Sequence, residues 1–195
     1  MDLDYVLIAT GATGAYTTIF LLSTLWRWLR PVPSHEVFFS PKGGCTEVVV
    51  REIGKARHEV LVLAYSFTSK PIADALLAAK KRGVHVDIVL DHSNEREEHT
   101  DLGFFLQEGL TPLVDSEHAI AHNKVMIIDS RTIVTGSFNF TNQAEHENAE
   151  NLIVLKHYAE LSAAYRQNFH AHKAHARVPE LKAPGPSRFP ERRAA

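Results

Sequence analysis

Apolar residues recur along most of the chain with two alternating periods. Residues 36–40 (EVFFS) form a short strand-like run, and Gly43-Gly44 turns into a helical pattern over 47–56. Residues 60–67 (VLVLAYSF) are almost unbroken apolar over strand length, as expected of a strand covered on both faces. Segment 71–82 has Pro near its start, apolar residues at helical spacing and basic residues in its last turn, with Gly83 as a stop; it predicts a helix. Further strands are predicted at 84–91, 111–115, 124–129, 132–136 and 151–155, with helices at 101–108 and 158–170. Such strand–helix alternation predicts an α/β fold, a mixed and largely buried β-sheet flanked by helices on both faces.

The two ends break this pattern. From Tyr5 to Trp26 there is no charged residue, and at about 1.5 Å rise per residue the run would reach roughly 33 Å as a helix. It predicts an N-terminal transmembrane helix within a membrane anchor over residues 1–30. An export signal and a buried soluble helix are the alternatives. Asp2 and Asp4 stand where a signal would carry basic residues, and a core helix would show a polar stripe. Arg27 and Arg30 come after the run, beside Trp26 and Trp28, which favours a cytoplasmic side for the downstream domain. Residues 31–35 then read as a stiff linker, 36–175 as the folded domain and 176–195 as a disordered tail.

Composition narrows the classes. The 195 residues, 45% hydrophobic and 23% charged, suit one folded domain rather than a disordered chain. A formal net charge of −2 excludes a polybasic nucleic-acid binder while leaving room for a local basic groove. The single cysteine, Cys45, can close no intrachain disulfide and no cysteine-rich zinc site.

Candidate chemistry concentrates between Ala121 and Asn151. His122 and Lys124, two apart at the start of a strand, project to one face, and Ser137 and Asn139 repeat that spacing on the next segment. A polar pair entering a buried strand is costly unless it meets a ligand or partners. An imidazole among an ammonium, a hydroxyl and a carboxamide is a nucleophile among donors, and such donors suit the oxygens of a phosphate under attack. A satisfied core histidine is the bland alternative for His122.

The pattern HxKxxxxD (His122, Lys124, Asp129) followed by GSFN (Gly136–Asn139) resembles the HKD motif of the phospholipase D superfamily. The AYSFTS, AAKKRGV and GSFNFT runs narrow the likeness to the small bacterial non-specific endonuclease branch, which carries one HKD motif per chain. The chain is also similar to the mitochondrial-surface relatives that place a membrane anchor before a single such domain. The resemblance implies two-step, metal-independent hydrolysis of a phosphodiester through a phosphohistidine, with no cofactor. His122 would be the nucleophile, and a second His122 from a homodimer partner the acid and then the base, in a shared active site. Lys124, Ser137 and Asn139 would hold the phosphoryl oxygens, Glu150 would orient the histidine, and Asp129 would support the strand without touching phosphate. The implied substrate is nucleic acid, DNA or RNA, with phospholipid as the alternative. A catalytically silent, membrane-tethered nucleic-acid-binding module is a third reading, against which the full residue set argues.

Other polar groups read as solvated. His170, His172 and His175, near the tail, lack an accompanying carboxylate pattern for a metal. Asp91 and His92, with Glu95, Glu97, Glu98 and His99, belong to a charged loop that could sit at the mouth of a cleft, and Lys80, Lys81 and Arg82 to a helix end that could join a backbone-binding groove. Tyr65 and Phe67 read as core.

Overall fold

The computed structural model describes residues 16–26, 31–95 and 102–180, apart from the side chains of 104 and 107. The chain divides into two units, Met1–Val32 and Pro33–Ala195. In the first, residues 16–26 form a helix whose Ile19, Phe20, Leu21, Leu22 and Leu25 are exposed. Among the described residues no helix is long and apolar enough to cross a membrane. The rest of the expected anchor, 1–15 and 27–30, lies outside the described residues.

The second unit is built on seven strands: β1 (Ser34–Phe39), β2 (Glu59–Ala64), β3 (His85–Asp91), β4 (Leu113–Asp115), β5 (Lys124–Ile128), β6 (Thr132–Gly136) and β7 (Asn151–Lys156). They form one mixed sheet in the order β1-β7-β6-β5-β2-β3-β4. The β2-β3-β4 side is parallel, and every other pairing is antiparallel. Helices α1 (Cys45–Gly54), α2 (Lys70–Lys81), α3 (Leu102–Gln107), α4 (Asn142–His146) and α5 (Ala159–His175) complete it.

Strand alternation sorts the core into two layers. Val60, Val62, Ala64, Met126, Ile128 and Val134 turn to one face and pack with Val49 and Ile53 of α1 and Ile72 and Leu76 of α2. Leu61, Leu63, Val125, Ile127 and Ile133 turn to the other and pack with Phe169 of α5. The interior strand β2 is therefore apolar on both faces, which is why its sequence shows no alternation. Phe67, fully buried just beyond β2, meets Phe105 and Phe140 edge-on at 5.2 and 5.9 Å between ring centroids.

Three differences from the sequence expectation matter for function. Helix α5 runs to His175 rather than ending at 170, which puts His172 and His175 on its last turns. Residues 176–180, expected to belong to a disordered tail, are held by the fold. Arg177 pairs with Val114 through two backbone hydrogen bonds of 2.8 and 3.0 Å and its guanidinium binds Glu95, so the fold holds the chain through Glu180, whose N–H donates to Glu95. Residues 181–195 lie outside the described residues. The short helix α4 has no counterpart in the sequence pattern, being a single turn capped by Thr141, whose hydroxyl accepts from the Ala144 N–H at 3.1 Å.

Candidate active site

Lys124 opens β5, and its side chain shares the face of Met126 and Ile128, with only 7% of the residue exposed. Its Nζ lies 5.1 Å from the centre of the Tyr65 ring and 3.5 Å from the carbonyl oxygen of His122. Burial holds the ammonium below its ordinary pKa, and the attraction of Glu150 opposes that shift. An ammonium in such a half-dry setting is a strong donor to any anion that enters.

His122 stands in the loop before β5 and is exposed, its ring edge-on to Tyr65 at 4.6 Å between centroids. Tyr65 comes directly after β2, and its N–H donates to the Asn123 carbonyl at 2.8 Å, which ties the end of β2 to the loop carrying His122. Phe67 is core, as its position in the apolar run implies, but Tyr65 is half-buried and lies at the site. Two residues of one apolar run thus part ways where the strand leaves the sheet, which periodicity alone does not reveal.

The loop before His122 is also held from the far side. Asp91 is buried, and its Oδ2 accepts the Ala121 N–H at 2.7 Å while Oδ1 accepts the Ser93 N–H at 2.9 Å. Burial would raise its pKa, and the hydrogen bonds of Ser93 and Ala121 outweigh that and hold it below the usual carboxylate range. The expectation that Asp91 is part of a solvated loop is therefore corrected: it ends a strand inside the fold and fixes the chain beside His122. Glu95 is likewise engaged, by Arg177.

Ser137, exposed at the end of β6, accepts the Asn151 N–H at 3.0 Å on its hydroxyl, and the N–H groups of Ser137 and Phe138 both donate to the Asn151 carbonyl at 3.1 Å. This clasp needs the glycine before it. Gly136 has φ of +145°, and a Cβ there would stand 2.3 Å from the Asn151 carbonyl oxygen. Asn139 is half-buried, and its Oδ1 is buried without a hydrogen-bond partner. A carboxamide can turn either end toward such a space, so this position can present its amino group to an oxyanion. Glu150 accepts from the Asn148 amide at 3.1 Å, and its backbone is pinned to Ser40 on both sides, by Ser40 N–H to its carbonyl at 3.0 Å and by its own N–H to the Ser40 hydroxyl at 3.2 Å.

Asp129 stands apart from these groups. It comes directly after β5 with φ of 51°, and its carboxylate accepts three backbone N–H groups, from Arg57, His58 and Glu59, at 2.9, 2.7 and 3.0 Å. Burial pushes its pKa up, and the N–H groups of Glu59, His58 and Arg57 more than offset that, leaving it below the ordinary value. The three carboxylate bonds fasten the turn before β2 to the end of β5.

The other candidates divide. Lys80 donates to the Gly109 carbonyl and Arg82 to that of Ile53 at 3.1 Å, so two cations of the α2 end are structural. His170 is exposed, whereas His172 and His175 turn inward to the buried Asp115, together with His118. The reading of these two histidines as solvated is thereby corrected. A cavity of about 510 Å³, lined in part by Thr46, Val50, Ser69, Pro71 and Glu145, includes none of the six motif residues among its walls. Chemistry rather than volume marks the site.

A family model described as "Cardiolipin synthase, PLD-like domain" matches residues 49–173. Phospholipase D of Rickettsia typhi is 40% identical over 136 residues, which cover 70% of this chain and 66% of that protein. Mitochondrial cardiolipin hydrolase of Chlamydomonas reinhardtii is 33% identical over 117 residues, covering 60% of this chain and 52% of its own length. Among solved structures, Nuc from Salmonella typhimurium, described as a phospholipase D family member, superposes with a TM-score of 0.72 at 36% identity, over 75% of this chain and 98% of Nuc.

Proposed function

The chain belongs to the phospholipase D superfamily, with a PLD-like domain over residues 49–173, and from that premise we propose that it hydrolyses phosphodiesters through a histidine nucleophile. The observation that carries the reading is the pairing of the exposed His122 with the buried Lys124 ammonium at one strand entrance. A neutral His122 nitrogen attacks phosphorus, the P–N bond forms and the P–O bond to the leaving alcohol breaks. The leaving oxygen takes a proton from a second imidazole, which then removes one from the water that hydrolyses the phosphohistidine. The sequence carries a single HKD motif, so the acid is assigned to His122 of a homodimer partner. Lys124, Ser137 and the Asn139 amide stabilise the equatorial oxygens, where charge grows in the transition state. These groups supply both proton transfer and charge stabilisation without a metal ion.

The substrate proposed is nucleic acid, cut with little sequence preference, as the GSFNFT run (Gly136–Thr141) and the likeness to Nuc suggest. A lipid substrate is the second reading. It is favoured by the names of the curated relatives, a phospholipase D and a cardiolipin hydrolase. It is also favoured by the helix at 16–26, where Ser23 and Thr24 donate their hydroxyls to the Phe20 carbonyl at 2.8 Å while apolar side chains face outward. A membrane anchor over residues 1–30, with the domain on the cytoplasmic side, is part of this proposal. One preparation assayed side by side on DNA, RNA and cardiolipin-containing vesicles tests it. Turnover of DNA or RNA that is lost in His122→Ala is expected. Turnover of lipid alone would transfer the assignment to the second reading, and undiminished turnover by His122→Ala on every substrate would remove the nucleophile.

A further inference from the structure

Far along the sheet from Lys124, four potential metal ligands meet. Asp115 ends the edge strand β4 and is fully buried. Its Oδ2 lies 2.7 Å from His172 Nδ1, 3.0 Å from His118 Nδ1 and 3.1 Å from His175 Nε2. The three imidazoles crowd one another, with ring centroids 4.9, 5.2 and 5.6 Å apart. All four ligand atoms fall within 4.8 Å of each other.

Hydrogen bonding to the carboxylate alone leaves this arrangement incomplete. His175 Nε2 is buried and, despite its closeness to Oδ2, makes no hydrogen bond. Its other nitrogen, Nδ1, is 3.3 Å from the Glu117 carboxylate. A ring with one nitrogen aimed at a cluster of ligands and the other held by a carboxylate is the arrangement that orients a metal-bound histidine.

We propose that Asp115, His118, His172 and His175 bind a divalent transition-metal ion, zinc in the first place, as a structural clasp separate from the reaction centre. Three imidazoles and one carboxylate suit zinc, and four protein ligands fill a tetrahedron without leaving a position for water or substrate. A tetrahedron with bonds of about 2.0–2.1 Å has edges of roughly 3.3 Å, so the nitrogens would spread from Oδ2 by up to about 0.6 Å and close on one another from separations of at most 4.8 Å. In strand order β4 is three places from β5, or about 14 Å at the usual strand spacing, which keeps such an ion away from Lys124.

The elements joined explain what the clasp would do. Asp115 belongs to an edge strand of three residues, His172 and His175 to the last turns of α5, and His118 to the loop that runs on to Ala121 and His122. One ion would fasten the sheet edge and the C-terminal helix, and would stiffen the approach to the nucleophile. This inference does not depend on the proposed function, because a structural ion would be bound whatever the substrate.

The test uses the full-length protein, stripped with a chelator and titrated with zinc chloride by calorimetry. One zinc ion per chain is expected, with Kd below about 1 μM, together with a rise in Tm. The double variant His172→Ala/His175→Ala should weaken binding at least ~100-fold, and His122→Ala should bind as the wild type does. X-ray absorption of the zinc-loaded wild type, which needs no variant to fold, should show four N/O ligands at about 2.0–2.1 Å, three of them imidazoles. Absence of saturable binding, binding unchanged in the double variant, or a spectrum with fewer than two imidazoles would each overturn the assignment. Loss of activity in His122→Ala with zinc binding intact would separate this site from the proposed catalytic one.

Discussion

Replacing Asp129 by alanine should cost stability and spare chemistry. The wild-type carboxylate accepts three backbone N–H groups at 2.7 to 3.0 Å. Hydrogen bonds to an ionised acceptor contribute about 1.5–3 kcal/mol each when fully sheltered. Arg57 and His58 are exposed, so their amides regain water in the variant, while the Glu59 amide is half-buried and does so less well. Alanine is also less tolerant than aspartate of the left-handed backbone at 129, where φ is 51°. The net loss is about 3 kcal/mol, equivalent to a fall in Tm of roughly 6–12 °C for a domain of this size. The pH dependence has a definite sign. Because the folded pKa of Asp129 is lowered, its contribution is complete above the unfolded value of about 3.9 and disappears as pH falls through the folded value. Urea titrations of wild type and Asp129→Ala should therefore differ fully at pH 7 and converge as the pH drops below about 4. Turnover per folded molecule at pH 7 should stay within about threefold of wild type, since the carboxylate touches no reacting atom in the proposed mechanism. A stability difference under about 1 kcal/mol, or full stability with turnover lost, would refute the structural role.

Other substitutions probe the core, the clasp and the site. Phe67→Ala empties a site between the rings of Phe105 and Phe140 and should cost about 3–5 kcal/mol in chemical denaturation. Gly136→Ala sets a methyl group 2.3 Å from the Asn151 carbonyl, so it should lower stability by about 2 kcal/mol or more and lower turnover by displacing Ser137. Asp91→Ala leaves the Ala121 N–H without its acceptor and should reduce both stability and kcat, with denaturation and steady-state rates as the readouts. Lys124→Met keeps the apolar stem without the charge, so folding should persist while kcat/KM falls by at least ~100-fold.

The strands were legible because their burial is simple. β2 is covered on both faces and reads as a solid apolar run, and β5 and β6 keep pace with it in register. The motif residues were legible for a different reason: His122 and Lys124, like Ser137 and Asn139, stand two apart beside a strand end, a spacing the sequence displays directly. What escaped the sequence depends on distant contacts. Tyr65 and Phe67 look alike in the run, and only the end of the strand at Ala64 separates a site residue from a core one. Asp91 resembles the charged residues after it, yet its acceptor role is set by Ala121, 30 positions on. His172 meets Asp115 across 57 positions, and α5 as a whole is too weakly amphipathic to announce that its last turns face inward. A pattern confined to a dozen residues cannot carry such pairings.

The central claim is that His122 becomes covalently bonded to phosphorus. Rapid acid-free quenching of the full-length protein during turnover of a chromogenic aryl phosphodiester, with peptide mass spectrometry of the quenched samples, tests it directly. A phosphoryl adduct on the His122 peptide, formed at the rate of the first aryl release and missing from His122→Ala, is the expected result. Steady turnover with no adduct at any time point, or an adduct on another histidine, would contradict the mechanism.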